Sequence, residues 1–179
     1  MDPKTLKNLQ DRTDAKLRYA EIHLKELKDH EPLGGDDFDR AHQESFLFHL
    51  LGARDAFLFE LNECYDLNFD LSKISFQYFS KELKKRNTKI QEFDAIVALQ
   101  KNNTSWLYHA KEMRNFSTHV SNVSRSYHIG GPNDQKVWLK NPKSGNIIER
   151  HFVDEFNDWF QEMKSLLMRL RQSAICNNS

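Results

Sequence analysis

The chain has 179 residues, 39% hydrophobic and 29% charged, which suits one globular domain able to bury a core without disulfide or metal staples. Lys plus Arg and Asp plus Glu balance at 26 each, so no global field draws the chain to nucleic acid or membrane, and any phosphate binding must be local. No run reaches transmembrane length, the first residues lack the apolar stretch of a signal peptide, and Cys64 and Cys176 show no CxxC spacing. The expectation is a cytoplasmic protein with free thiols and no membrane contact. The N-x-S/T matches at Asn102, Asn103, Asn115 and Asn122 have no route to glycosylation in that compartment.

From about Lys4 to Lys28, Leu6, Leu9, Leu17, Ala20, Leu24 and Leu27 fall on one helical stripe. Pro32, Gly34 and Gly35 break that helix, and Asp36 or Asp37 can cap the next by accepting from its free N–H groups. The second helix, about Phe38 to Tyr65, is apolar on more than one face and should be central. Within it Asp55 is spaced three and four residues from Leu51, Gly52, Leu58 and Phe59. A carboxylate buried there needs a cation, in a site or in a structural pair with a nearby Arg or Lys.

Residues 66–72 read as a loop before a short amphipathic helix carrying Ile74, Phe79 and Leu83. It ends in a basic cluster of Lys81, Lys84, Lys85, Arg86 and Lys89. The cluster is either a solvated helix end, where positive charge meets the C-terminal dipole, or an RNA-backbone contact through Lys84, Lys85 and Arg86. A helix near Glu92 to Gln100 follows, then KNNTS with Thr104 or Ser105 as cap.

The next helix, Trp106 to Val123, sets Trp106, Ala110, Met113, Phe116, Val120 and Val123 on one side. Its other side carries Asn115, Thr118, Ser121 and Asn122 between Arg114 and His119, short hydrogen-bonding groups where a solvated face would have Lys and Glu. SRSYHIGGPNDQ then reads as a loop, and QKVWLKNPKSGNIIER as a β-hairpin, an insertion at about 135–149. That hairpin can grip a substrate, close a dimer or do neither. A last helix, about Arg150 to Arg171, repeats large apolar residues at core spacing. The fold class is all-α: residues 1–179 form one antiparallel bundle of about five to six helices with a small hairpin before the last.

The sequence holds no GxxxxGK[ST], HExxH, GxSxG, GxGxxG or EF-hand loop, and its histidines lack ligand spacing beyond the weak pair His42 and His49. No metal and no cofactor are expected. What remains is RNFSTH, residues 114–119. Arg18 to His23 repeats the spacing without a second polar group after the arginine, so the spacing alone is a weak signal.

With Asn115 directly after Arg114 and His119 at the end, RNFSTH resembles the motif of the HEPN family of helical-bundle domains. Many of these are ribonucleases in which an arginine precedes a histidine by a few residues. The resemblance covers roughly Phe38 to Arg171 and makes the first helix and the hairpin elaborations. It implies a metal-independent endoribonuclease of toxin or antiviral-defence type, with Arg114, Asn115 and His119 catalytic and Asp55 as supporting acid. It also implies RNA as substrate, a homodimer whose motif helices share one cleft, and an antitoxin or regulatory protein as a further partner. Ser121 stands where members silenced by an adenylylating partner carry tyrosine, so that control is not implied, whereas silencing by direct binding is. Two other readings stay open: a non-catalytic module binding a partner protein or nucleotide, and a structural role for both residues.

On a straight helix, five residues separate Arg114 from His119 by roughly 140°, so the two bracket the polar face. That arrangement fits a groove between two helices better than a site on one.

Overall fold

The computed structural model describes residues 3–30, 36–119, 125–133 and 137–174. Helix α1 (Pro3–Asp29) and helix α2 (Asp37–Cys64) lie antiparallel, as their cross-contacts show: His23 meets His42, Tyr19 meets His49, and Arg12 lies over Phe59. Asp36 is the cap of α2, its Oδ1 accepting from Asp39 N at 2.9 Å.

A 3-10 turn at Leu71–Lys73 leads to α3 (Phe76–Lys85), α4 (Gln91–Lys101), α5 (Trp106–His119) and, after the sheet, α6 (Phe152–Ser173). Helix α6 runs parallel to α2, with Phe46 stacked on Phe156 at one end and Arg171 paired with Glu60 at the other. The same helix is antiparallel to α1, through Lys28 with Asn157 and Asp14 with Arg171. The core lies between these three helices and α5, where Phe46, Leu50, Phe57, Leu107, Met113, Phe156 and Trp159 are buried. Burying apolar surface there is the main stabilising term, at about 25 cal/mol per Å².

The expected all-helical bundle is present, and its insertion is larger than a hairpin. Three antiparallel strands, β1 (Arg125–Tyr127), β2 (Val137–Lys140) and β3 (Ile147–His151), lie in the order β1-β2-β3 with a bulge between Trp138 and Leu139. Part of the segment read as loop is therefore strand. The third strand answers the marginal stability of a lone hairpin, and Val137 and Leu139 bury one face of the sheet in the core. The expected continuation of α5 through Val120–Val123 falls outside the described residues.

The expectation of free thiols is overturned: Cys64 is disulfide-bonded. Cys176, the other cysteine in the sequence, lies outside the described residues. Cys64 closes α2, and the parallel course of α2 and α6 brings the C-terminal ends of these two helices together. There Tyr65 and Ser173 both donate to the carboxylate of Glu92, at 2.6 and 2.8 Å. Among the described residues no helix is long and apolar enough to cross a membrane.

Candidate functional site

Helix α5 starts where Ser105 Oγ accepts from Tyr108 N at 3.2 Å and donates to the Leu99 carbonyl. This cap sets the rotation of the helix, with Leu107, Ala110 and Met113 inward and Trp106 and Phe116 half-buried. Arg114 follows Met113 and lands at the edge facing α2. Its guanidinium is half-buried, and the buried Nε has no hydrogen-bond partner among the described residues. Burial and the positive charge of Arg54 pull its pKa below the ordinary arginine value, and Asp55 opposes that pull.

Arg54 is the better buried of the two, at 3% exposure. Its Nε and Nη2 donate to Asp55 Oδ1 at 2.9 and 2.6 Å, and its Nη1 to Gln100 Oε1 at 2.7 Å. The Phe76 ring lies 5.0 Å from its guanidinium carbon. The cation that answers Asp55 is thus its own neighbour in sequence, and the costly burial falls on the arginine, since the Asp55 side chain is 42% exposed. Arg114 makes no ion pair with Asp55 among the described residues and feels the Arg54–Asp55 pair only through space. The surplus positive charge and the unpaired Nε–H are what an oxyanion would satisfy with charge-assisted hydrogen bonds.

Asn115 is half-buried beside Arg114. Ser117 Oγ and Thr118 Oγ1 donate to the Arg114 carbonyl at 3.0 and 2.8 Å, so both hydroxyls turn back on the helix. The His119 side chain, Ser121 and Asn122 lie outside the described residues. In the basic cluster Lys84 and Lys85 are exposed. Arg86 donates to the Leu67 carbonyl and lies 4.5 Å over the Phe69 ring, clasping the connection between α2 and α3.

A family model described as "Family of unknown function (DUF6586)" matches residues 7–175. The chain belongs to DUF6586. No curated protein and no solved structure matches it. The DUF6586 match takes in nearly all of α1 and the whole sheet, so both are parts of the family unit.

Beyond the pair His42 and His49, sequence spacing did not bring together the members of three clusters, because each draws on segments that meet only in the fold. His23 and His42 set their Nδ1 atoms 3.1 Å apart, and His49 stacks on His23, its buried Nδ1 without a partner among the described residues. Burial lowers the pKa of both His23 and His49, and a positive neighbour, His42 for the first and Lys16 for the second, adds to it. His30, Asp36 and Asp39 bring possible ligand atoms within 4.8 Å of one another. Asp36 is spent there as a cap, and Arg125 Nη1, 3.3 Å from Asp39 Oδ2, already supplies positive charge. The third cluster is His109 with Asn141, which borders a cleft between α5 and the β2–β3 turn.

Proposed function

We propose that this DUF6586 protein is a metal-independent endoribonuclease of toxin or antiviral-defence type, cutting RNA at a cleft shared by two copies of the chain. The observation that carries the reading is the half-buried Arg114, whose Nε has no partner among the described residues, within electrostatic reach of the buried Arg54 and its Asp55 carboxylate. Such a pair can hold a phosphodiester and stabilise charge growing on its oxygens. Asn115 adds a hydrogen-bonding amide beside it. In this mechanism a neutral His119, with an unperturbed pKa near 6.5, takes the proton of a ribose 2′-hydroxyl. The alkoxide attacks phosphorus, the 5′-oxygen leaves with a proton from the second copy's histidine, and a 2′,3′-cyclic phosphate remains. The two-fold pairing follows from the ~140° between Arg114 and His119 along one helix. Asp55 serves by holding Arg54, and the exposed Lys84 and Lys85 meet the RNA backbone, Lys85 in exchange for its 3.9 Å contact with Glu82. An antitoxin or regulatory protein would act by covering the cleft.

This reading places the protein in the cytoplasm. The Cys64 disulfide belongs to oxidising compartments and counts against the cytoplasmic part of this reading, which leaves the second reading, a non-catalytic module binding a nucleotide or a partner protein, to be tested beside it. Purified protein incubated with labelled RNA in EDTA, beside Arg114→Ala and His119→Ala, separates the two. Cleavage that leaves cyclic phosphate, survives chelation and vanishes in both variants supports the enzyme. Intact RNA throughout, or cutting of an all-deoxyribose substrate, rejects it.

A further inference from the structure

The cleft between α5 and the β2–β3 turn has a volume of about 610 Å³, well inside the range of small-molecule sites. Its chemistry is set by Asn141, which is 5% exposed. Asn141 Oδ1 accepts from the backbone N–H groups of Lys143 and Ser144 at 2.9 and 3.0 Å. The turn is closed behind it by Asn141 N to Asn146 O at 2.8 Å and Gly145 N to Asn141 O at 2.9 Å. Flipping the amide would turn its NH2 against two N–H donors, so its orientation is fixed and Nδ2 faces His109 Nδ1, at 3.1 Å.

His109 Nδ1 must therefore accept, and the ring carries its proton on Nε2, which has no hydrogen-bond partner among the described residues. A second proton on Nδ1 would meet the Asn141 NH2 head-on. Burial acts in the same direction, pulling the His109 pKa below the ordinary value against the pull of Glu155. A neutral imidazole with its only lone pair occupied is no general base. It is a fixed hydrogen-bond donor.

The rest of the lining fits that role. Lys143 adds a cation, Tyr108 adds a hydroxyl, Ile147 and Ile148 add an apolar wall, and none of the described residues lining the cleft is acidic, while the Thr104 hydroxyl is already spent on Asn102 Oδ1 at 2.8 Å. Donors and one positive charge without a carboxylate select a ligand rich in acceptors, and the apolar wall requires an organic body. We propose that the cleft binds a small organic oxyanion, an apolar or aromatic body bearing a carboxylate or phosphate. The oxyanion accepts from His109 Nε2–H and pairs with Lys143, and the body lies along Ile147, Ile148 and Tyr108. The site is separate from Arg114 and holds whether or not RNA is cut.

Phenyl phosphate and phenylacetate are the probes, with benzyl alcohol as the neutral control, in calorimetry and in long-range 1H–15N spectra of the full chain. The free protein should give His109 the signature of a protonated Nε2 and a bare Nδ1. At least one anion should bind at millimolar concentration or below and shift the Nε2 signal. The preference between the two probes then distinguishes phosphate from carboxylate. Lys143→Ala, an exposed change that leaves the fold intact, and His109→Gln should each weaken binding about tenfold, the equivalent of one charge-assisted hydrogen bond. A protonated Nδ1 in the free protein, absence of binding by both anions, equal binding of benzyl alcohol, or affinity unchanged in Lys143→Ala would overturn the proposal.

Discussion

Replacing Arg114 by methionine separates a functional arginine from a structural one, because the two roles predict opposite changes in stability. Methionine keeps most of the aliphatic volume against α2 and removes the charge. In the wild type the guanidinium is half-buried, its Nε has no partner among the described residues, and Arg54 repels it. An unsatisfied buried donor costs about 1–3 kcal/mol, and the attraction of the partly exposed Asp55 is weakened by solvent. Arg54 keeps its bonds to Asp55 and Gln100 in the variant, so no new buried group is orphaned. Arg114→Met should therefore leave stability unchanged or raise it by about 1 kcal/mol, a Tm increase of about 2–4 °C for a chain of this size. Scanning calorimetry at matched pH and salt measures this, and the same samples are assayed on RNA. A Tm lowered by several degrees would mean that the guanidinium holds the bundle together, and the reasoning that makes it a waiting anion site would be wrong.

Three further outcomes follow from named contacts. Arg171 binds Glu60 through two bonds of 2.9 Å and Asp14 through one of 2.8 Å, with the Glu60 side chain only 2% exposed. Arg171→Ala should cost about 3 kcal/mol in urea unfolding by stranding that carboxylate, and adding Glu60→Leu should recover much of the loss. Asn141→Asp offers an anionic acceptor to His109 Nδ1, so the His109 pKa should rise by about 1–3 units in an NMR titration, with the proton moved to Nδ1. The sign of linkage reverses with it. In the wild type the lowered pKa removes stability as pH falls below about 6.5, whereas in the variant the raised pKa adds stability at low pH that is lost as pH rises through the folded value. A pH profile of stability that keeps its slope in the variant refutes the tautomer lock. Finally, in protein purified without reductant Cys64 should resist alkylation, and reduction should lower stability by about 2–5 kcal/mol. Alkylation of intact cells that finds Cys64 reduced would instead favour the cytoplasmic enzyme.

The helices were legible because their stripes are regular and their caps are local. Leu24, Leu27, Phe46, Phe57, Phe156 and Phe160 are buried, and Asp36 and Ser105 accept the N–H groups that end-of-helix chemistry assigns them. Strand β1 was not legible, because its inward anchor is an arginine. Arg125 donates to Gln43 Oε1 and, at 3.3 Å, to Asp39 Oδ2, both far away in sequence, and no apolar alternation announces such a strand. The same limit acted at the candidate site. Periodicity pointed to Asp55, but the buried charge is Arg54, and only the packing of α3 and α4 against α2 decides that. Likewise nothing local to His109 reveals a tautomer set by an asparagine 32 residues later.

The sheet links what the sequence left as separate features. β1 is rooted on α2 through Arg125, and the β2–β3 turn is rooted on α5 through Asn141. These two helices carry Arg54 and Asp55 on one side, and His109 and Arg114 on the other. A sheet gripping both helices fixes the rotation of α5 about its axis. Five residues turn a helix by roughly 140° from His109 to Arg114, so any rotation that re-aims one of them moves the other off its partner. The cleft and the arginine site therefore share one mechanical constraint, and filling the cleft should stiffen the helix that presents Arg114. Whichever of the two sites proves functional, the sheet is part of its frame, which accounts for a family unit that includes it.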